Sequence, residues 1–108
     1  MKGKPIIHDS SGNVFADIGV KNPHEYLAKA KLAAEILKVI QSRRLTQTEA
    51  GHRLGVTQSK VSALLNGRLD GFSTDRLIRF LNMLGCDVQI SISKSHHRRH
   101  GSVRVRAA

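Results

Sequence analysis

The chain has 108 residues, room for one modest core, and 18 Lys and Arg against eight Asp and Glu give a formal charge of +10. That balance points to a polyanionic partner. Three Phe, one Tyr and no Trp argue against a stacking platform for single-stranded nucleic acid. No run approaches the ~20 apolar residues of a membrane span and no signal peptide is visible, so a soluble, cytoplasmic chain without a membrane partner is expected.

Residues 1–22 form an N-terminal arm with two short apolar patches, Ile6-Ile7 and Val14-Phe15, separated by the turn-forming cluster Ser10-Ser11-Gly12-Asn13. The arm is either a small hairpin or a segment anchored on the helices by Phe15 and Ile18; the anchored form is preferred. Asn22-Pro23 then starts a helix, with a cap residue followed by proline at the first helical position. The helix is expected to run from Pro23 to Arg44, with Glu25 at the positive end of its dipole and Arg43-Arg44 at the negative end. Leu27, Ala30, Ala33/Ala34, Leu37 and Ile40 recur at three and four residues, and Leu32, Ile36 and Val39 widen the stripe. A helix this apolar is either central to a bundle or shared with a second subunit.

Thr46 to Gly67 is the most informative stretch. Thr46 and Glu49 have the spacing of a capping box, opening a helix from Gln47 to about Leu54 that Gly55 ends. Val56 bridges a corner, Thr57 is a second cap, and Gln58 to Asn66 form the next helix, stopped by Gly67. Two helices crossing on so short a turn need a small residue at the crossing, here Gly51, and apolar corner residues, here Leu54, Val56, Val61 and Leu64. Thr57, Gln58, Ser59, Lys60, Ser62 and Asn66 are left at the start and outer face of the second helix. All are polar donors and none is acidic. That pattern suits contact with DNA, with Gln58 able to bond an adenine edge twice and Lys60 able to donate to guanine acceptors. Gln47, at a helix N-terminus, suits a phosphate. Arg68 is placed either for a phosphate or simply as a solvated loop cation.

After the loop Arg68 to Phe72, Ser73 caps a last helix whose buried face is Leu77, Phe80/Leu81 and Leu84, ended by Gly85. Cys86, the single cysteine, excludes an intrachain disulfide and reads as a small buried apolar residue. From Asp87 to Ser93 the period changes to two, with Val88, Ile90 and Ile92 alternating with polar residues as in a half-buried strand. A lone strand is unstable, so it pairs either with an N-terminal patch or, preferably, with its copy in a homodimer whose interface is Val88, Ile90 and Ile92. The tail, residues 94–108, has five cations and no acid, as in disordered segments that touch nucleic acid or aid solubility. Its His96, His97 and His100 lack the spaced, rigid arrangement of a metal site.

The expected fold is therefore mainly α, a compact four- to five-helix bundle with a central helix-turn-helix and one C-terminal β-strand. It divides into the arm (1–22), the domain (23–93) and the tail (94–108). No cofactor and no catalytic residue are expected, since neither paired carboxylates, a Ser/His/Asp set nor a phosphate loop is present.

Gln47, Gly55, Thr57-Gln58-Ser59, Val61 and Leu64-Leu65-Asn66-Gly67 resemble the helix-turn-helix of the XRE (Cro/phage-repressor-type) family. Val14 to Gly19, Asn22-Pro23 and Leu69 to Leu77 extend the resemblance to the HigA-like antitoxin branch, over roughly residues 13 to 92. Gly51 departs from it, since the family more often has alanine there. The resemblance implies a repressor of its own operon that neutralises a ribosome-dependent ribonuclease toxin. The alternatives are a stand-alone regulator without a toxin, or a protein- or RNA-binding adaptor built on the same motif.

Overall fold

The computed structural model describes residues 23–96 and 100–108. Four helices follow in order: α1 Pro23–Ser42, α2 Gln47–Leu54, α3 Gln58–Leu65 and α4 Thr74–Met83. Helix α1 packs chiefly on α4 and α2 chiefly on α3, so two helix pairs close around one core. Ile36, Val61, Leu64, Leu69, Leu77 and Leu84 are its most completely buried large side chains.

The caps explain the boundaries. Thr46, Thr57 and Ser73 stand in extended backbone before α2, α3 and α4, and each side-chain oxygen accepts the N–H three residues on. At the other ends, α3 and α4 close on Gly67 and Gly85, whose φ values are +78° and +86°. The amides of Arg68 and Cys86 reach back five residues to the carbonyls of Ala63 and Leu81. Helix α1 closes in the same way without a glycine. Arg44 takes φ +55°, and Leu45 N–H donates to the Ile40 carbonyl at 3.0 Å. An L-residue in this left-handed region is strained.

The two arginines after α1 thus act differently from the dipole partners expected at its end. Arg43 crosses the bundle and donates through Nη2 to the Leu84 carbonyl at the end of α4. It caps a neighbouring helix, tying the end of α1 to the end of α4.

The buried face of α1 is Ala28, Leu32, Ala33, Ile36 and Ile40, while Leu27 is 38% exposed. The expected stripe through Leu27 and Leu37 is therefore at the margin, and its widening through Leu32 and Ile36 is the centre. The two apolar stripes adjoin, so periodicity could not choose between them; contact with α4 and α3 does. On the outer side Glu35 accepts from Lys38 at 3.1 Å and lies 3.2 Å from Lys31. Its carboxyl is held below the usual range, first by the Lys38 hydrogen bond, with burial opposing and the Lys31 bond assisting.

The expected C-terminal strand is not formed. Residues 87–95 have no regular secondary structure, and the described residues contain four helices, no fifth helix and no strand. Val88 packs partly on the core, but Ile90 is 75% and Ile92 92% exposed. Alternation specifies the face a strand would bury, whereas the ladder itself needs a neighbouring backbone, and no described segment of this chain supplies one. The N-terminal arm, with its Ile6-Ile7 and Val14-Phe15 patches, lies outside the described residues, as do His97, Arg98 and Arg99. In the tail, Val105 is half-buried against the core while Val103 remains exposed.

Candidate nucleic-acid interface

The interface is built from the N-termini of α2 and α3. At α2 the capping box is complete. Thr46 Oγ1 accepts from Glu49 N–H at 3.0 Å, and Glu49 Oε1 accepts from Thr46 N–H at 2.8 Å. These bonds hold the Glu49 carboxyl below its usual range, the backbone bond from Thr46 contributing most. Glu49 is the only acid between Gln47 and Arg68, and the cap ties its charge to the helix start.

The corner between the helices depends on two glycines. Gly55 has φ +72°, which lets Val56 N–H return to the Gly51 carbonyl at 3.0 Å. A Cβ built on Gly51 would lie 2.6 Å from the Val56 carbonyl oxygen, closer than real Cβ atoms come. The absent side chain at Gly51 therefore sets how closely α3 approaches α2.

That approach brings two of the expected contact residues together. Gln58 Nε2 donates to Gln47 Oε1, joining the first residues of the two helices. The bond leaves each amide with a defined remaining capacity. Gln58 keeps its Oε1 acceptor and one N–H, the pair that an adenine major-groove edge requires. Gln47 keeps both amide hydrogens, which suit a phosphate oxygen. The sequence suggested a different role for each side chain without showing that the two touch.

The remaining candidates fall into groups. Thr57 is exposed and accepts from Lys60 N–H at 3.2 Å, so its oxygen serves the helix while its hydrogen stays available. Ser59 is exposed beside Gln58. Ser62 is half-buried and linked to Asn66, whose Nδ2 donates to the Ser62 carbonyl at 2.8 Å. Asn66 thereby closes the end of α3. Arg68 is exposed just beyond it. Lys60 is exposed too, but its ammonium leans away from Gln58 to lie 5.4 Å from the centroid of the Phe72 ring.

Two further side chains border this surface. Thr48 and His52, one turn apart on α2, line a shallow concavity with Gly51, Gly55, Thr57 and Gln58. Their i, i+4 spacing next to Gln47 was the available signal, and the outer face of α3 drew attention from it.

Residues 14–93 match a family described as a helix-turn-helix domain. A solved structure described as an XRE family transcriptional regulator superposes with a TM-score of 0.72 at 44% sequence identity. The match covers 79% of this chain and 97% of that one. This chain belongs to the XRE-type helix-turn-helix family. No curated protein matches it significantly. The family match extends from within the arm to the end of the alternating segment at Ser93. Among the described residues no helix is long and apolar enough to cross a membrane.

Proposed function

We propose that this protein is a sequence-specific regulator that binds double-stranded DNA and represses transcription. The observation that carries the reading is the Gln58 side chain, keyed by Gln47 and presented on a helix face without an acidic residue. Lysines and arginines supply salt-dependent affinity through phosphates, and Gln58 with Ser59 supplies base discrimination. The likeness to an XRE family transcriptional regulator supports the same reading. An adaptor that binds protein or RNA would call for apolar or acidic residues on this face, and Thr57 to Ser62 offers none that is exposed.

The test uses a duplex selected by the wild-type protein from a randomised pool, with a scrambled duplex as control. Gln58→Ala should weaken binding to the selected duplex by about 1–3 kcal/mol while barely affecting the scrambled one. Its melting temperature should stay put, since the residue is exposed. Equal losses on both duplexes would remove Gln58 from the specificity surface.

Two finer parts belong to the proposal. The regulator acts as a homodimer, because one helix-turn-helix reads few base pairs and two half-sites lie about 34 Å apart. Val88, Ile90 and Ile92 form the interface; the exposure of Ile90 and Ile92 in the single chain supports this. Pairing the two segments across a two-fold axis would supply the missing ladder partner. Ile90→Pro should then give a monomer in sedimentation and abolish operator binding, and a dimeric variant with normal affinity would place the interface elsewhere. The regulator also serves as the antitoxin of a toxin–antitoxin pair, on the strength of the resemblance around Val14 to Gly19 and Leu69 to Leu77. Co-expression with the neighbouring reading frame tests it. Relief of growth arrest supports the pair, and no relief leaves a stand-alone regulator.

A further inference from the structure

Phe72 and Phe80 are each 2% exposed and meet edge to face, with centroids 6.0 Å apart and planes inclined by 72°. Two cations converge on this pair. Lys60 Nζ lies 5.4 Å from the Phe72 centroid, and Arg76 Cζ lies 5.7 Å from Phe72 and 5.4 Å from Phe80. Gly71 leaves the space that Lys60 uses, since a Cβ there would stand 3.2 Å from Nζ. No carboxylate among the described residues pairs with either cation, and Asp75, the acid next to Arg76, is bonded to Arg79 at 3.1 Å.

We infer that Lys60 and Arg76, held on the Phe72 ring, form a two-cation clamp for a backbone phosphate of the bound duplex. The inference rests on the DNA-binding reading above. An anion that bridges two cations held beside one ring gains attraction to both. The rings orient the cations before binding, so little side-chain freedom remains to be lost on contact. The position selects a phosphate over a base. Lys60 follows Gln58 by two residues, about 200° around α3, so the two cannot reach the same base edges. Lys60 is instead held at the Phe72 ring in the loop before α4, off the face that carries Gln58, where a bound duplex would offer it backbone rather than base edges. The role of Lys60 is then register and affinity, and its expected contact with guanine gives way to one with the backbone. Arg76 is a contact residue that the outer face of α3 could not reveal, because it comes from the next helix.

The experiment measures binding to the selected and the scrambled duplex as a function of salt for wild type, Lys60→Met, Arg76→Met and Arg76→Lys. Methionine keeps an unbranched apolar side chain over the rings and removes the charge. Each Met variant should lower the salt slope by about 0.9, a loss of about eightfold at 0.1 M salt relative to the 1 M limit, and equally on both duplexes. Arg76→Lys should restore the slope, which a purely structural role would not require. Unchanged slopes for both Met variants overturn the clamp, and a Lys60→Met loss confined to the selected duplex makes Lys60 a base reader instead. Because Lys60 is exposed, its variant decides the question even if Arg76→Met fails to fold. Wild-type protein that binds neither duplex would refute the DNA reading itself, a result distinct from failure of the clamp.

Discussion

Gly51→Ala sets two effects of opposite sign against each other. Alanine in a helix interior is favoured over glycine by about 1 kcal/mol. Its Cβ would meet the Val56 carbonyl oxygen at 2.6 Å where ordinary contact begins at 3.4 Å, so the two must separate by about 0.8 Å. The obstacle is backbone, with no rotamer to relieve it. Val56 is also bonded back to Gly51 through its own N–H, so the turn cannot simply swing away. Overpacking of this kind costs about 1–3 kcal/mol, which leaves a net loss of about 1 kcal/mol. The displacement passes directly into the first turn of α3, since Gln58 N lies only 3.6 Å from the same Cβ. Loosening the Gln47–Gln58 bond should then lower affinity for the selected duplex by about tenfold, the worth of part of a bidentate contact. Urea unfolding and binding to selected and scrambled duplexes are the assays. A variant more stable by about 1 kcal/mol, with unchanged discrimination, would show that the approach at Gly51 is not what aligns the helices.

Other predictions test individual boundaries and contacts. Arg44→Gly should stabilise the fold by about 0.5–1 kcal/mol, because relief of left-handed strain exceeds the added entropy of the unfolded chain; an unchanged or lower urea midpoint would refute it. For Glu49, a carboxyl lowered in the folded state contributes stability that is present above its ordinary value of 4.5 and is lost as pH falls through the lowered value. The stability advantage of wild type over Glu49→Gln should therefore shrink as pH is taken below 4.5, and a pH-independent difference would count against the capping box. Val105→Ala should cost about 0.5–1 kcal/mol in thermal or urea unfolding if the tail valine packs as seen, and no loss would mean that the contact does not hold the tail in solution.

What could be read from the sequence divides by the range of the interaction. Thr46, Glu49, Gly55, Thr57 and Ser73 act within one helical turn of themselves, so their chemistry fixed α2, α3 and the start of α4 to within a residue. The end of α1 was misplaced because its terminator is Arg44, a residue whose identity gives no warning of a left-handed backbone. Arg43 and Arg76 were missed as partners for a related reason. Each acts on an element distant in sequence, Leu84 for one and the Phe72–Phe80 pair for the other, and no local spacing encodes such a contact.

The segment from Asp87 to Ser93 shows what alternation can establish. Val88, Ile90 and Ile92 were read as the buried face of a strand, but only Val88 packs partly on the core. Alternation describes side chains, however, whereas a strand exists through backbone bonds to another chain segment. In this bundle the helices satisfy their own backbone groups internally and present no edge to receive it. Ile90 and Ile92 stay exposed in the described fold, and the second copy proposed above would cover them. Under the proposed dimer, the same pairing would set the distance between two Gln58 side chains, and reading a two-fold operator would then depend on the segment that forms no strand alone.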